Sequence, residues 1–185
     1  MVNRLQRVFA ALSDNRVDFV LCGGVACVLQ SCERTTQDLD IYVALKKTNL
    51  LRTVESFRDL GFRPRVPEPM EALAEEKQRN RWRQEKGALV YTLVSPEGIF
   101  QIDIFLTYPI PRQQLRENAD TVLIGGKPIH PDFDGHLEYS LRDKTPDEKI
   151  VWLEMMMELQ GELWAIARRS QDGSRNTERT AGNDG

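Results

Sequence analysis

The most constraining feature of the sequence is a segment, residues 38–43, in which acidic or aromatic side chains alternate with aliphatic ones. Successive side chains of a β-strand point to opposite faces of its sheet. As a strand, the segment would place Leu39, Ile41 and Val43 in a core. Asp38 and Asp40 would then share the other face, roughly 7 Å apart along the strand. The chain therefore needs a sheet with one apolar face and one face that accommodates two acids.

A later strand, predicted over residues 100–106, carries a third acid. Its aliphatic side chains Ile102 and Ile104 share one face with Phe100, and Asp103 lies on the other. Three carboxylates meet if the two strands are neighbours in register. Like charges a few ångströms apart raise one another's pKa and cost stability, and a divalent cation removes that repulsion. An alternative is that each acid is a surface residue on a half-exposed strand.

A glycine pair, Gly23-Gly24, separates an apolar strand predicted over residues 17–22 from a short helix predicted over 25–31. Glycine permits close backbone approach, and the start of a helix offers unpaired N–H groups, which are properties of a phosphate site. Most glycine pairs are simple turns, so the pair alone discriminates little. The combination becomes more specific because it continues with Arg34, Thr36, Asp38 and Asp40.

This combination resembles the signature of the DNA polymerase beta-type nucleotidyltransferase superfamily. It is most similar to small bacterial members related to abortive-infection and toxin–antitoxin nucleotidyltransferases. The run from Ile102 to Phe105 is similar to the third carboxylate strand of that superfamily, and the similarity extends over roughly residues 15 to 130. The chain departs from the pattern at Ser31, where many relatives have glycine, and at Gly24, where the wider superfamily has serine.

The resemblance implies an enzyme that transfers a nucleoside monophosphate from a nucleoside triphosphate such as ATP to a hydroxyl acceptor. The implied nucleotide-binding residues are Gly23, Gly24, Arg34 and Thr36. The implied catalytic and metal-binding residues are Asp38, Asp40 and Asp103, which would hold two Mg²⁺ or Mn²⁺ ions, and Asp103 would help to deprotonate the attacking hydroxyl. Lys144 and Lys149 are both candidates for a triphosphate contact. Arg34 and Thr36 also have a structural alternative, in which Arg34 pairs with a nearby acid and Thr36 caps a turn.

The resemblance leaves the acceptor open among RNA, a partner protein and a small molecule. A toxin–antitoxin or defence system is the implied setting. The alternative function is that of a non-catalytic nucleotide-binding or antitoxin-like partner-binding protein on the same fold. A third hypothesis is an unrelated structural domain whose acids coincide by chance.

The remaining patterns predict an α/β (α+β) domain in which a mixed sheet is flanked by helices. The predicted elements are amphipathic helices over 5–12 and 48–60, a charged helix over 71–85, a hairpin of strands 89–94 and 100–106, a small hairpin within 121–130, and a C-terminal helix from Thr145. One domain is expected over residues 1–169. Residues 170–185 are small and polar and are predicted to be a disordered tail.

Composition favours a soluble cytoplasmic protein without membrane contact, since 41% of residues are hydrophobic, 29% are charged and no apolar run approaches the roughly 18 residues of a membrane span. The net charge of −3 argues against a global attraction to polyanions. Cations nevertheless cluster between Arg63 and Lys86, around Trp82. That segment is either an acceptor-strand contact or a solvated charged helix. The three cysteines, with no zinc-like spacing, are predicted to be free thiols.

Overall fold

The computed structural model describes residues 4–29, 35–108, 110–119, 121–130, 145–151 and 153–154 of the 185-residue chain. The helices are α1 (Arg4–Asp14), α2 (Gly23–Leu29), α3 (Lys47–Asp59), a 3₁₀ helix (Met70–Ala74), α4 (Glu76–Lys86) and α5 (Arg112–Asn118). The strands are β1 (Phe19–Cys22), β2 (Asp38–Val43), β3 (Arg63–Pro64), β4 (Val90–Val94), β5 (Gln101–Phe105), β6 (Val122–Ile124) and β7 (Lys127–Ile129). The candidate residues Arg34 and Lys144 and the proposed tail lie outside the described residues.

Strands β1 to β5 form one mixed sheet in the order β1-β2-β5-β4-β3. Its central pair, β2 and β5, is parallel, whereas the β1–β2, β5–β4 and β4–β3 pairs are antiparallel. Strands β6 and β7 form a separate two-stranded hairpin. The predicted α/β class, with a mixed sheet flanked by helices, is confirmed.

One face of this sheet, the core face, is covered by helices. The core-face side chains of β2 and β5 are fully buried: Leu39, Ile41, Ile102 and Ile104. Helix α1 buries Leu5, Val8, Phe9 and Leu12 against the same core, as its periodicity predicts. A last helical segment covers residues 146–151 and continues at 153–154. Its start is fixed by the predicted capping box, since the Glu148 carboxylate accepts from the Thr145 N–H at 2.7 Å.

Three features differ from the predicted elements. The helix predicted over 71–85 is divided in two, because Glu75 adopts an extended conformation between the 3₁₀ helix and α4. Strand β3 falls in a region whose prolines indicate a loop, and α5 has no counterpart among the predicted elements. Within the described residues no helix is long and apolar enough to span a membrane.

Candidate active site

The three predicted acids share the face of the sheet opposite the core, called here the carboxylate face. Asp40 lies directly opposite Asp103 in the parallel β2–β5 pair, and Asp38 lies opposite Gln101. Both strands alternate between half-buried and buried residues, and all three acids are half-buried. The expected adjacency of the two strands is therefore present, and it brings Asp40 and Asp103 side by side.

Two threonine hydroxyls donate hydrogen bonds to the carboxylates of Asp38 and Asp103. Thr36 donates to the Asp38 carboxylate and also approaches the Asp38 main-chain carbonyl at 3.3 Å. Thr92 on β4, which lies directly opposite Asp103, donates to its carboxylate at 2.5 Å. Among the described residues, no group of three or more His, Cys, Asp or Glu side chains is spaced so as to hold a metal ion. The acids thus share a face and neighbouring positions without forming a preassembled ligand cluster.

The two glycines at the start of α2 pack directly against the acids and their support. A Cβ on Gly23 would lie 2.0 Å from Oδ2 of Asp40, and one on Gly24 would lie 2.6 Å from Cβ of Thr36. Gly23 also has a φ of +66°, which L side chains rarely adopt. Only glycine fits at either position, and the backbone of the Gly-Gly turn therefore lies against the Asp40 carboxylate.

The chemistry of this donor set fits a divalent cation. Its side-chain donors are carboxylate and hydroxyl oxygens, which are the ligands that Mg²⁺ and Mn²⁺ prefer. The side chains of Asp38, Asp40 and Asp103 are only half-buried, so water and phosphate oxygens can complete a coordination shell. Gly23, whose backbone lies against the Asp40 carboxylate, is itself exposed, so such a group can reach this side of the site from solvent.

The two remaining nucleotide-binding candidates are placed differently. Thr36 is 8% exposed and its hydroxyl donates to the Asp38 carboxylate, so it lies within the site, and its nucleotide-binding role stays a prediction. Lys149 is buried, and its Nζ donates to the carbonyl of Leu29 at 3.0 Å. Burial lowers the pKa of Lys149. Its ammonium group lies at the C-terminal end of α2, where a cation is favoured, and Gly23 begins the opposite end.

The basic segment between Arg63 and Lys86 is mostly engaged in structural contacts. Trp82 is 3% exposed and stacks on Tyr91 with ring centroids 5.1 Å apart, so its ring is engaged within the fold. Arg81 pairs with Glu85 at 2.9 Å. Lys86 pairs with Glu68 at 3.0 Å and holds the pKa of that carboxyl below its usual value. These contacts favour the charged-helix alternative for α4.

The other half of the carboxylate face is apolar. Val20, Cys22 and Leu115 form a small buried cluster against which Tyr42, Phe105 and Tyr108 pack. Helix α5 covers this region and is tied to the start of β1 by ion pairs from Arg112 and Arg116 to Asp18. The part of the carboxylate face that α5 leaves open therefore consists of the acids on β2 and β5 and the adjoining strands β4 and β3.

Thr92 is the site residue that sequence reasoning missed. A usable signal existed in the predicted hairpin turn around residues 96–98. A hairpin centred between Glu97 and Gly98 pairs residues equidistant from that point, which puts Thr92 opposite Asp103.

Comparisons with known proteins give little beyond this geometry. No family model matches the chain, and no curated protein matches it. Among solved structures, the solution structure of the antibiotic-resistance factor ANT(2'')-Ia aligns over 96% of this chain and 95% of that one, with a TM-score of 0.45 and 12% identity.

Proposed function

We propose that this protein transfers a nucleoside monophosphate from a nucleoside triphosphate to a hydroxyl acceptor on the carboxylate face. The observation that carries the proposal is the meeting of Asp40 with Asp103 across a parallel strand pair, directly beside the Gly23 backbone. Its sequence resemblance extends the proposal to a toxin–antitoxin or defence role, with RNA, a protein or a small molecule as acceptor, and its composition favours a cytoplasmic location.

The residues have distinct roles in this reaction. The acceptor oxygen bonds to the α-phosphorus, the bond to pyrophosphate breaks, and Asp103 accepts the hydroxyl proton. Thr92 fixes the Asp103 carboxylate for that transfer. The exposed Gly23 lets a phosphate approach the backbone beside Asp40. When bound by Asp38, Asp40 and Asp103, Mg²⁺ or Mn²⁺ would neutralise charge on the phosphoryl oxygens.

A thermal-shift screen of the four nucleoside triphosphates, each with Mg²⁺ or Mn²⁺, tests binding first. Only a ligand of the folded state raises the melting temperature, and a ligand at a hundred times its Kd stabilises by about 2.7 kcal/mol. We expect a rise with at least one nucleotide and its metal. An unchanged melting temperature with all four would instead favour the unrelated structural domain.

Release of pyrophosphate and transfer of α-labelled nucleotide then test the chemistry. Asp38→Asn and Asp103→Asn are expected to reduce turnover to background, because each removes a charged oxygen ligand while keeping the side-chain shape. The matched control is Asp59→Asn, the same change at an exposed position at the end of α3, which should leave turnover intact. Undiminished turnover in both site variants would refute the assignment of the acids. Nucleotide binding without transfer, with a co-purifying partner chain, would identify the non-catalytic alternative.

A further inference from the structure

The edge strand β3 and the residue that follows it present two arginines, Arg63 and Arg65, on the carboxylate face. Arg63 lies opposite Val94, and the Arg65 N–H donates to the Thr92 carbonyl at 3.0 Å. Thr92 and Val94 are on the same face as Asp103, since Thr92 lies directly opposite it. Alternation then puts Arg63 and Arg65 on this face, and both are exposed. We call this pair the arginine edge.

The Arg65 side chain is directed inward over the sheet. Its guanidinium donates to Oε1 of Gln101 at 2.8 Å, and Gln101 lies opposite Asp38. To reach Gln101 the side chain must cross β4, because β3 and β5 lie on either side of that strand. The guanidinium therefore reaches the residue that lies opposite Asp38, and it retains further N–H donors for a ligand.

Among the described residues, neither Arg63 nor Arg65 forms an ion pair with an acid. Lys47, Arg58, Arg81 and Lys86 each pair with a glutamate. Within the described part of the chain, no ion pair is found for Arg63 or Arg65, and the hydrogen-bond partner of the Arg65 side chain is the neutral Gln101. A face that carries three acids at its centre thus has along one side two guanidinium groups that form no ion pair with any described residue.

We propose that the arginine edge is a phosphate-binding subsite of the carboxylate face. The inference rests on the proposed function, in which the phosphate that is transferred is bound at the acids of this face. The glycine turn lies beside β2 and the arginine edge beyond β4, so the two approach the acids from opposite sides. A guanidinium fork binds two oxygens of one phosphate. That phosphate belongs either to the nucleoside triphosphate or to an acceptor that carries phosphate.

Charged residues on an edge strand also prevent edge-to-edge aggregation. That role requires only a charge directed to solvent, and lysine meets it as well as arginine. Bidentate phosphate binding requires the planar fork, whereas a lysine ammonium contacts the phosphate only as a point charge. Replacement by lysine therefore separates the two roles.

Binding is measured with three probes at low ionic strength: inorganic tripolyphosphate without metal, ATP with Mg²⁺, and a short single-stranded oligoribonucleotide. The test variant is Arg63→Gln with Arg65→Gln, and Arg65→Lys is compared with it. The matched control is Lys77→Gln with Arg83→Gln, which removes the same charge from exposed positions of α4. We expect the Kd for tripolyphosphate to rise by roughly tenfold per arginine, with a partial rise for Arg65→Lys and no change in the control.

The pattern across the probes identifies the source of the phosphate. Weaker binding of ATP assigns the edge to the nucleotide, and weaker binding of the oligoribonucleotide alone assigns it to the acceptor. Equal effects of the test and control pairs, full retention in Arg65→Lys, or failure of the unaltered protein to bind tripolyphosphate would each overturn the subsite. None of these readouts requires turnover, so they are distinct from a failure of the proposed reaction, which the aspartate variants reveal.

Discussion

The two faces of strands β2 and β5 contrast sharply although they are built from alternating residues of the same segments. On the core face, Ile41 and Ile102 have no exposed surface. On the carboxylate face, Asp40 and Asp103 are half-buried neighbours. The core face gains stability from dry packing, whereas the carboxylate face places like charges side by side at a cost in stability. The contrast predicts that core packing and the proposed chemistry can be altered separately at adjacent residues of one strand.

The largest predicted effect comes from comparing two consecutive residues of β5. Ile102→Ala should lower the free energy of unfolding by about 2–5 kcal/mol, because it opens a cavity in a fully packed core. Asp103→Asn should leave it unchanged or raise it, because the variant removes a charge opposite Asp40 and still accepts the Thr92 hydrogen bond. Urea unfolding without metal measures both.

Activity measured on the same two variants sharpens the contrast. At a temperature where it remains folded, Ile102→Ala should keep its turnover per folded molecule, whereas Asp103→Asn should lose it. A loss of stability in Asp103→Asn comparable with that of Ile102→Ala would show that both faces serve packing, and the separation would fail.

The alternation of polar and aliphatic side chains makes part of this arrangement predictable from the sequence. The pattern of residues 38–43 indicates a strand with Asp38 and Asp40 on one face, and the parallel β2–β5 pair brings Asp103 beside them. Period-two patterning is readable because burial enforces it on every residue of a half-buried strand. The assignment of the acids to metal and catalysis stays a prediction.

Features that depend on tertiary contacts could not be predicted from the sequence. Strand β3 consists of Arg63 and Pro64, and a proline-containing pair gives no strand signal, since only pairing with β4 makes it one. Helix α5 is seven residues long and mostly polar, too short for a period to emerge. The hairpin predicts the position of Thr92 opposite Asp103, but the threonine hydrogen bonds to Asp38 and Asp103 depend on side-chain rotamers, which no spacing encodes.

A second prediction concerns Gly23, where the backbone meets the carboxylate face. Gly23→Ala combines a positive φ with a Cβ 2.0 Å from the Asp40 carboxylate, whereas Gly98→Ala has a φ of +74° and no neighbouring atom within 4 Å. The left-handed conformation alone should cost about 1–2 kcal/mol in each variant. Overpacking against Asp40 should add roughly 1–3 kcal/mol in Gly23→Ala alone.

Comparing Gly23→Ala with Gly98→Ala separates the effect of the contact with Asp40 from the effect of the positive φ. Denaturant midpoints give the stability difference, and nucleotide binding should weaken only in Gly23→Ala, because displacement of Asp40 disturbs the proposed site. Equal costs and equal binding in the two variants would mean that Gly23 is an ordinary turn residue.

The smallest predicted effect tests the one phenol on the core face of β4. Tyr91 is buried, stacks on Trp82 and donates to the Glu68 carbonyl at 3.0 Å. Burial, with the nearby Glu68 and Glu71, raises the pKa of Tyr91 to about 12. Tyr91→Phe removes one hydrogen bond and should cost about 1 kcal/mol at neutral pH.

The pH dependence of the free energy of unfolding distinguishes Tyr91→Phe from the unaltered protein. Below about pH 10 the phenol keeps its proton in both the folded and the unfolded state. Between there and pH 12 the unfolded state loses the proton first, so the free energy of unfolding falls as pH rises. Tyr91→Phe should therefore show a shallower fall than the unaltered protein over that range, and the two curves should converge. Parallel curves would mean that the phenol ionises as easily in the fold as in water, and that the core face is wetter at β4 than at β5.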